Sequence, residues 1–211
     1  MIAYFDGIGC NAYGLTLLSK SISPPEVKKI MVDIPGRDGL LDQTEIFGNV
    51  KYNNRSIKMV FEILDHDRSN WPTIESTIVN AIHGQMLNVK FQDDPNYHWV
   101  GRCSVEPLED HNSTAGITIS VDTEPYKLKN ARTSVTETVV GSALITLTNA
   151  RKSAVPTITT DAAITVTMGD ITETFDAGTY VATEFEIGEG SYIVELDGNA
   201  TVTFSYQEGV L

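Results

Sequence analysis

Apolar and polar positions alternate along most of this chain, and that period of two predicts strands almost throughout. In Ser56–Leu64, Ile57, Met59, Phe61 and Ile63 take one face, and Ser56, Lys58, Val60 and Glu62 take the other. A strand with one buried face has this pattern. Met86–Phe91 repeats it with Leu87, Val89 and Phe91, and Ile117–Val121 repeats it again; Tyr97–Val105 is a further strand with Trp99 inside it. Ile2–Phe5 and Tyr13–Leu18 flank a turn at Asp6–Gly9, Lys28–Ile34 reads as a strand, and Val50–Tyr52 reads as the first arm of a hairpin that turns at Asn53, Asn54 and Arg55. One stretch breaks the period. Trp71, Ile74, Ile78, Ala81 and Ile82 form a stripe at helical spacing over Trp71–His83. Ser69 or Asn70 is placed to cap that helix, Pro72 suits its first turn, and Gly84 suits its end. The first part of the chain is therefore α+β, an antiparallel sheet with one helix packed on it.

From about residue 131 the texture changes. The segments Leu144–Thr148, Val155–Thr159, Ile164–Met168, Ile171–Phe175, Tyr180–Ile187, Tyr192–Leu196 and Val202–Tyr206 alternate, and no helical stripe occurs. Asp197-Gly198 between the last two is a strong hairpin signal. Short strands at this spacing predict a β-sandwich or jelly roll. We place two domains at 1–130 and 131–211, with the boundary in the stretch from Pro125, Tyr126 and Lys127 to Arg132. The fold class is mainly β.

The segment Asp33-Ile34-Pro35-Gly36-Arg37-Asp38-Gly39 is the sharpest turn signal of the first domain. Pro35 fixes φ, while Gly36 and Gly39 tolerate positive φ. Leu40 and Leu41 follow directly, which predicts a return onto a buried surface.

Charge narrows the function. The net charge is −13. Residues 1–132 carry 13 Lys and Arg against 17 Asp and Glu, a net of −4, and residues 133–211 carry 2 against 11, a net of −9. Phosphate contact needs clustered cations, so specific nucleic-acid binding and an anionic membrane surface are both disfavoured as partners. No apolar run reaches the ~18–20 residues of a membrane span, and the N-terminus lacks the basic and apolar regions of a secretory signal. Cys10 and Cys103 are far apart; reduced thiols are the favoured reading, with one disulfide left open.

No catalytic or metal constellation emerges. Asp93 and Asp94 are adjacent on a turn, where carboxylates diverge, so they do not read as a glycosidase pair. Asp65, His66 and Asp67 cannot easily converge on one ion from consecutive positions, and they read as a loop before the helix. His83 sits at a helix end, where it complements the dipole. No G-x-S-x-G, H-E-x-x-H or P-loop pattern is present. The expectation is a protein that is not an enzyme and has no cofactor and no metal site.

An ordered set of residues adds a resemblance. Phe5, Gly7 and Tyr13-Gly14-Leu15 begin it. Pro24-Pro25, Ile34-Pro35-Gly36-Arg37-Asp38-Gly39, Asn54-Arg55 and Asn80 with His83-Gly84 follow. Asp93-Asp94-Pro95, Tyr97, Gly101-Arg102 and Pro125-Tyr126-Lys127 complete it. Over these roughly 125 residues the chain resembles the distal tail protein family of long-tailed, siphovirus-type bacteriophages and prophages. The resemblance implies a structural virion protein, assembled in the bacterial host cytoplasm, that forms a hexameric ring at the tail tip. It implies the tail tube protein above the ring and the tail-associated lysin or tip protein below, with a receptor-binding protein or cell-wall glycan as a further partner. It also implies a galectin-like or carbohydrate-module-like β-sandwich at the periphery, for residues 131–211. Within the ring domain, Ile34, Pro35, Gly36, Arg37, Asp38 and Gly39 are the candidate oligomer interface. An acidic chain suits a channel that DNA must cross without sticking. A carbohydrate-binding tail protein and a tail tube subunit are the alternatives. The second domain has no Trp for sugar stacking, and Tyr180, Tyr192 and Tyr206 read as strand or core residues, which favours docking or spacing over glycan binding.

Overall fold

The computed structural model describes residues 1–211 and divides them into two compact units, Met1–Pro125 and Tyr126–Leu211. The fold is mainly β, as the alternation predicts, with one α-helix.

Unit 1 contains β1 (Ala3–Phe5), β2 (Ile8–Gly9), a 3-10 turn (Cys10–Tyr13), β3 (Leu15–Ile22), β4 (Met31–Val32), β5 (Leu41–Asp42), β6 (Arg55–Ile63), α1 (Trp71–Ile82), β7 (Met86–Phe91), β8 (Tyr97–Val105), β9 (Glu109–Asp110) and β10 (Ala115–Thr123). Its antiparallel sheet runs β2-β1-β7-β8-β10-β6-β3, with β9 beside β10. The odd positions of β6 and β10 point inward together, because Phe61 faces Ile117 and Met59 faces Ile119 across the ladder. The stripe of α1 covers part of that face, with Trp71, Ile78 and Ile82 buried and Ile74 and Ala81 partly so.

Two local expectations are corrected. Ser69 and Asn70 do not cap α1 with their side chains. The Ser69 hydroxyl donates to Asp67 and the Asn70 amide to Asp65, so the two aspartates take up the preceding loop instead. Asp65, His66 and Asp67 are thus organised around their own turn: Asp65 accepts from the Asp67 N–H and its carbonyl from the Trp71 indole. His83 does more than face the helix dipole, since its Nδ1 accepts the Val105 N–H at 3.1 Å and ties the helix end to β8.

Gly101 on β8 is fixed by packing. A Cβ there would stand 2.6 Å from the Asp122 carbonyl oxygen and 2.6 Å from Cγ1 of Val121. Backbone cannot move aside as a side chain can, so Gly101→Ala is expected to cost about 1–3 kcal/mol, read from chemical denaturation.

Cys10 and Cys103 are both free and buried. Burial, with a smaller contribution from Asp6, pushes the Cys103 thiol up to about 11. At pH 8 its thiolate fraction is then roughly one in a thousand, and the thiolate is the reactive form. A Cys10→Ala variant should leave a thiol that stays silent to a disulfide reagent in the native protein and titrates fully after denaturation.

Unit 2 contains β11 (Lys127–Lys129), β12 (Thr133–Asn149), β13 (Thr157–Thr160), β14 (Ile164–Met168), β15 (Ile171–Phe175), β16 (Gly178–Val181), β17 (Gly190–Tyr206) and β18 (Gly209–Val210). β11 pairs with β18, so the two ends of the unit lie side by side. The remaining strands form one sheet in the order β15-β14-β17-β13-β16, with β12 along the other edge of β17. The predicted hairpin at Asp197-Gly198 does not form. β17 runs straight through these residues and pairs with β12 over its whole length, with Gly141 opposite Gly198. On the other edge its first half takes β14 and its second half takes β13. One long ribbon therefore serves both wings of the sheet. The even residues Val194, Leu196, Ala200, Val202, Phe204 and Tyr206 are all buried. That apolar face packs in one cluster with Ile158, Val166 and Phe175 from the flanking strands and with Phe185 and Ile187 from the segment after β16, the kind of two-layered core a sandwich has. Gly198 stands where the β14 pairing ends, just before the β13 pairing begins. Its φ is +148°, and a Cβ would lie 3.0 Å from the Ala163 carbonyl oxygen.

Candidate functional site

Between β3 and β6 the chain leaves the sheet. From Ser23 to Asn54 no residue is buried. The segment is nevertheless ordered by its own backbone. Asn53 N–H donates to Glu26 C=O and Lys28 N–H to Lys51 C=O, and Val27 bridges Tyr52. Gln43 N–H then donates to Ile30 C=O, and β4 pairs with β5. The result is a two-stranded arm. Val50–Tyr52 belongs to this arm and does not form a hairpin with β6, whose neighbours are β10 and β3. Asn53 and Asn54 carry the chain onward, and Arg55 is the first residue of β6, not part of a turn.

The candidate residues Ile34, Pro35, Gly36, Arg37, Asp38 and Gly39 form the tip of the arm. Arg37 N–H donates to Ile34 C=O at 3.1 Å. Pro35 stands at the second position of that turn and Gly36, with φ +83°, at the third, which is the chemistry of a type II turn. Two features differ from expectation. The strand before the turn is Met31–Val32, shorter than Lys28–Ile34. The chain does not return to a buried surface, because Leu40 is 58% exposed. The arm has no second layer, so nothing in the chain covers the apolar side chains that alternation places on it.

On its way back the arm throws out a side loop, held by Ile46 N–H donating to Gln43 C=O and Gly48 N–H to Glu45 C=O. Ile46 and Phe47 occupy it, and Phe47 is 84% exposed. Val27, Ile30, Met31, Val32, Ile34 and Leu40 are exposed along the same arm. Asp42 shapes the base of the loop. Hydrogen bonds from Thr44, side chain before backbone, hold its carboxylate below the usual range.

Ile46 and Phe47 were not among the residues the sequence singled out. The available signal was an apolar pair followed by Gly48-Asn49 inside a polar stretch, which is unusual for a turn.

The remaining candidates stay apart. Asp93 is bound through both carboxylate oxygens to Lys20, at 2.6 and 2.7 Å, and the Lys20 hydrogen bond is the main reason its pKa is lowered. In unit 2, Tyr206 is fully buried and donates to the Thr148 carbonyl at 2.6 Å, Tyr180 packs on Phe175, and Tyr192 packs against the core. These three rings do not form one exposed platform.

No protein-family model matches the sequence, and no curated protein does. Among solved structures, the chain is similar to the SPP1 Dit (gp 19.1) protein, described as a paradigm of the hub adsorption apparatus in phages that infect Gram-positive bacteria. The similarity has a TM-score of 0.74 at 14% sequence identity and covers 100% of this chain and 99% of that one. From end to end, both units included, this chain has the fold of that hub protein.

Proposed function

We propose that this chain is a structural component of a phage tail, the subunit of a hexameric distal ring that joins the tail tube to the tip and the host-adsorption apparatus. The observation that carries the reading is the arm from Ser23 to Asn54. It is an ordered ladder that buries none of its own residues and shows a row of apolar side chains ending in Phe47. Exposed apolar surface of this kind marks a contact with another molecule. A second copy of the chain is the occupant we assign to it, a reading supported by the likeness to a hub protein. An arm reaching from one subunit onto a different face of the next is a heterologous contact, the kind that closes rings. Ile34–Gly39 then act in assembly as the arm's tip. The chain works as a non-enzymatic part of the virion, with the tube protein and the lysin or tip protein as its axial neighbours.

For unit 2 we favour docking or spacing. Phe175, Phe185, Phe204 and Tyr206 are buried in its own core and Tyr192 packs against it, which leaves Tyr180, resting on Phe175, as the one exposed ring and no paired stacking platform for a sugar. Cell-wall pulldown with the whole chain tests this, and glycan-dependent capture lost on Tyr180→Ala would replace it with the carbohydrate-binding reading.

Light scattering across a concentration series, alone and with purified tail tubes, tests the ring. The expected species has roughly six times the 23.1 kDa chain mass. A single-chain mass throughout, with no decoration of tubes, would refute the proposal.

A further inference from the structure

Arg55 stands where the arm rejoins the sheet, as the first residue of β6. It is only 8% exposed. Its guanidinium lies 4.0 Å over the Trp99 ring. Its Nε is enclosed without an acceptor, and no hydrogen bond or ion pair engages the group anywhere in the chain. Desolvation is the one influence on its ionisation, and it weakens the charged form. This is an unusual residue. Buried charges are ordinarily paired, and a cation–π contact replaces only part of the lost hydration. Lys20, with 19% of its side chain exposed, has Asp93. Arg55 has nothing comparable.

Unpaired carboxylates stand at the opposite end of the same arm. Asp33 and Asp38 flank the Pro35-Gly36 turn, are exposed, and enter no ion pair. From Glu26 to Ile34 the arm spans roughly 25 Å at strand rise, about the width of a small domain. A tip at that distance reaches a neighbouring subunit and not its own root.

We propose that Arg55, held on Trp99, is the receptor for a carboxylate from the arm tip of an adjacent copy, Asp33 or Asp38, so that the tip of one subunit docks at the arm root of the next. This rests on the ring reading above and deepens it. A planar guanidinium offers a bidentate fit that fixes orientation, which an apolar contact alone does not. The contact also explains why a largely shielded guanidinium without a counter-charge stays in the subunit: its counter-charge arrives with assembly.

The test separates the isolated subunit from the ring. In a monomeric background made by Ile46→Asp with Phe47→Asp, Arg55→Met is expected to leave the melting temperature unchanged or raise it, because it removes a charge that has no counter-charge there and keeps an apolar chain against Trp99. In the otherwise native chain, the same change is expected to weaken assembly at least tenfold. Arg55→Lys keeps the charge but not the fork, and it should also weaken the ring while sparing the subunit. Arg55→Glu should abolish the ring, and adding Asp33→Arg with Asp38→Arg should restore it. A native chain that assembles, with Arg55→Met assembling equally well, overturns this proposal and leaves the ring reading standing. So does an Arg55→Met subunit that melts lower with its assembly intact, which would make Arg55 merely structural. A native chain that never assembles overturns the ring reading itself, and this proposal with it.

Discussion

Replacing Ile46 and Phe47 together by aspartate is expected to convert the assembled ring into single subunits without unfolding them. Both side chains are exposed in the isolated chain, so the substitution removes little packing from unit 1. Surface changes of this kind usually move stability by less than about 0.5 kcal/mol each. At a subunit junction the arithmetic differs. Burying an Ile and a Phe contributes about 1.5–3 kcal/mol apiece. Losing both weakens each contact by at least about a hundredfold, since about 1.4 kcal/mol is a factor of ten. Two buried aspartates add a desolvation cost on top. Sedimentation velocity reads the outcome as a shift to the single-chain species, while circular dichroism and the melting temperature stay at native values. A variant that remains assembled would place the interface elsewhere than on the side loop.

The second large effect concerns the subunit itself. Phe61 sits in the middle of β6, fully buried, with its ring centroid 6.3 Å from that of Phe5. Its ladder partners are Leu17 on one side and Ile117 on the other, so its removal opens a cavity between three strands. Phe61→Ala is expected to cost about 3–5 kcal/mol. For a unit of this size that corresponds to a fall of roughly 10–20 °C in melting temperature. The two units have separate hydrophobic clusters, and Phe204 holds the corresponding place in the second. Calorimetry should therefore resolve which transition moves: Phe61→Ala lowers that of Met1–Pro125, and Phe204→Ala lowers that of Tyr126–Leu211. Equal displacement of both by either change would mean that the cores melt as one.

Much of the fold was legible because it follows from periodicity. The stripe of Trp71, Ile78 and Ile82 placed α1 within a residue, and alternation placed β7, β8, β14 and β15 at their observed ends. Three features escaped for identifiable reasons. Alternation reports that a strand has an apolar face, but not whether the same chain covers it; hence Leu40 was expected to be buried and is exposed. Asp197-Gly198 has hairpin chemistry, but the same glycine also permits a close approach of backbone, and the long-range pairing with β12 keeps the strand continuous through it. Val50–Tyr52 was paired with its sequence neighbour, whereas its partner is the outgoing strand of the arm, more than twenty residues earlier. The candidate site was legible in part. The Pro35-Gly36 turn could be read directly from residue types, but its place at the tip of a free arm could not. Phe47 leaves only the apolar pair before Gly48-Asn49 as a local mark, and the unpaired state of Arg55 leaves none, because exposure and the lack of a partner are properties of the folded chain.

The most direct test of the central claim, that unit 1 builds an annulus through its arm, is electron microscopy of the purified full-length chain, with class averages computed without imposed symmetry. The expected averages show a six-fold ring with a central opening and a bridge of density, the arm, crossing each subunit boundary. Compact particles of single-chain size, or a closed assembly whose arms project freely into solvent, would contradict it.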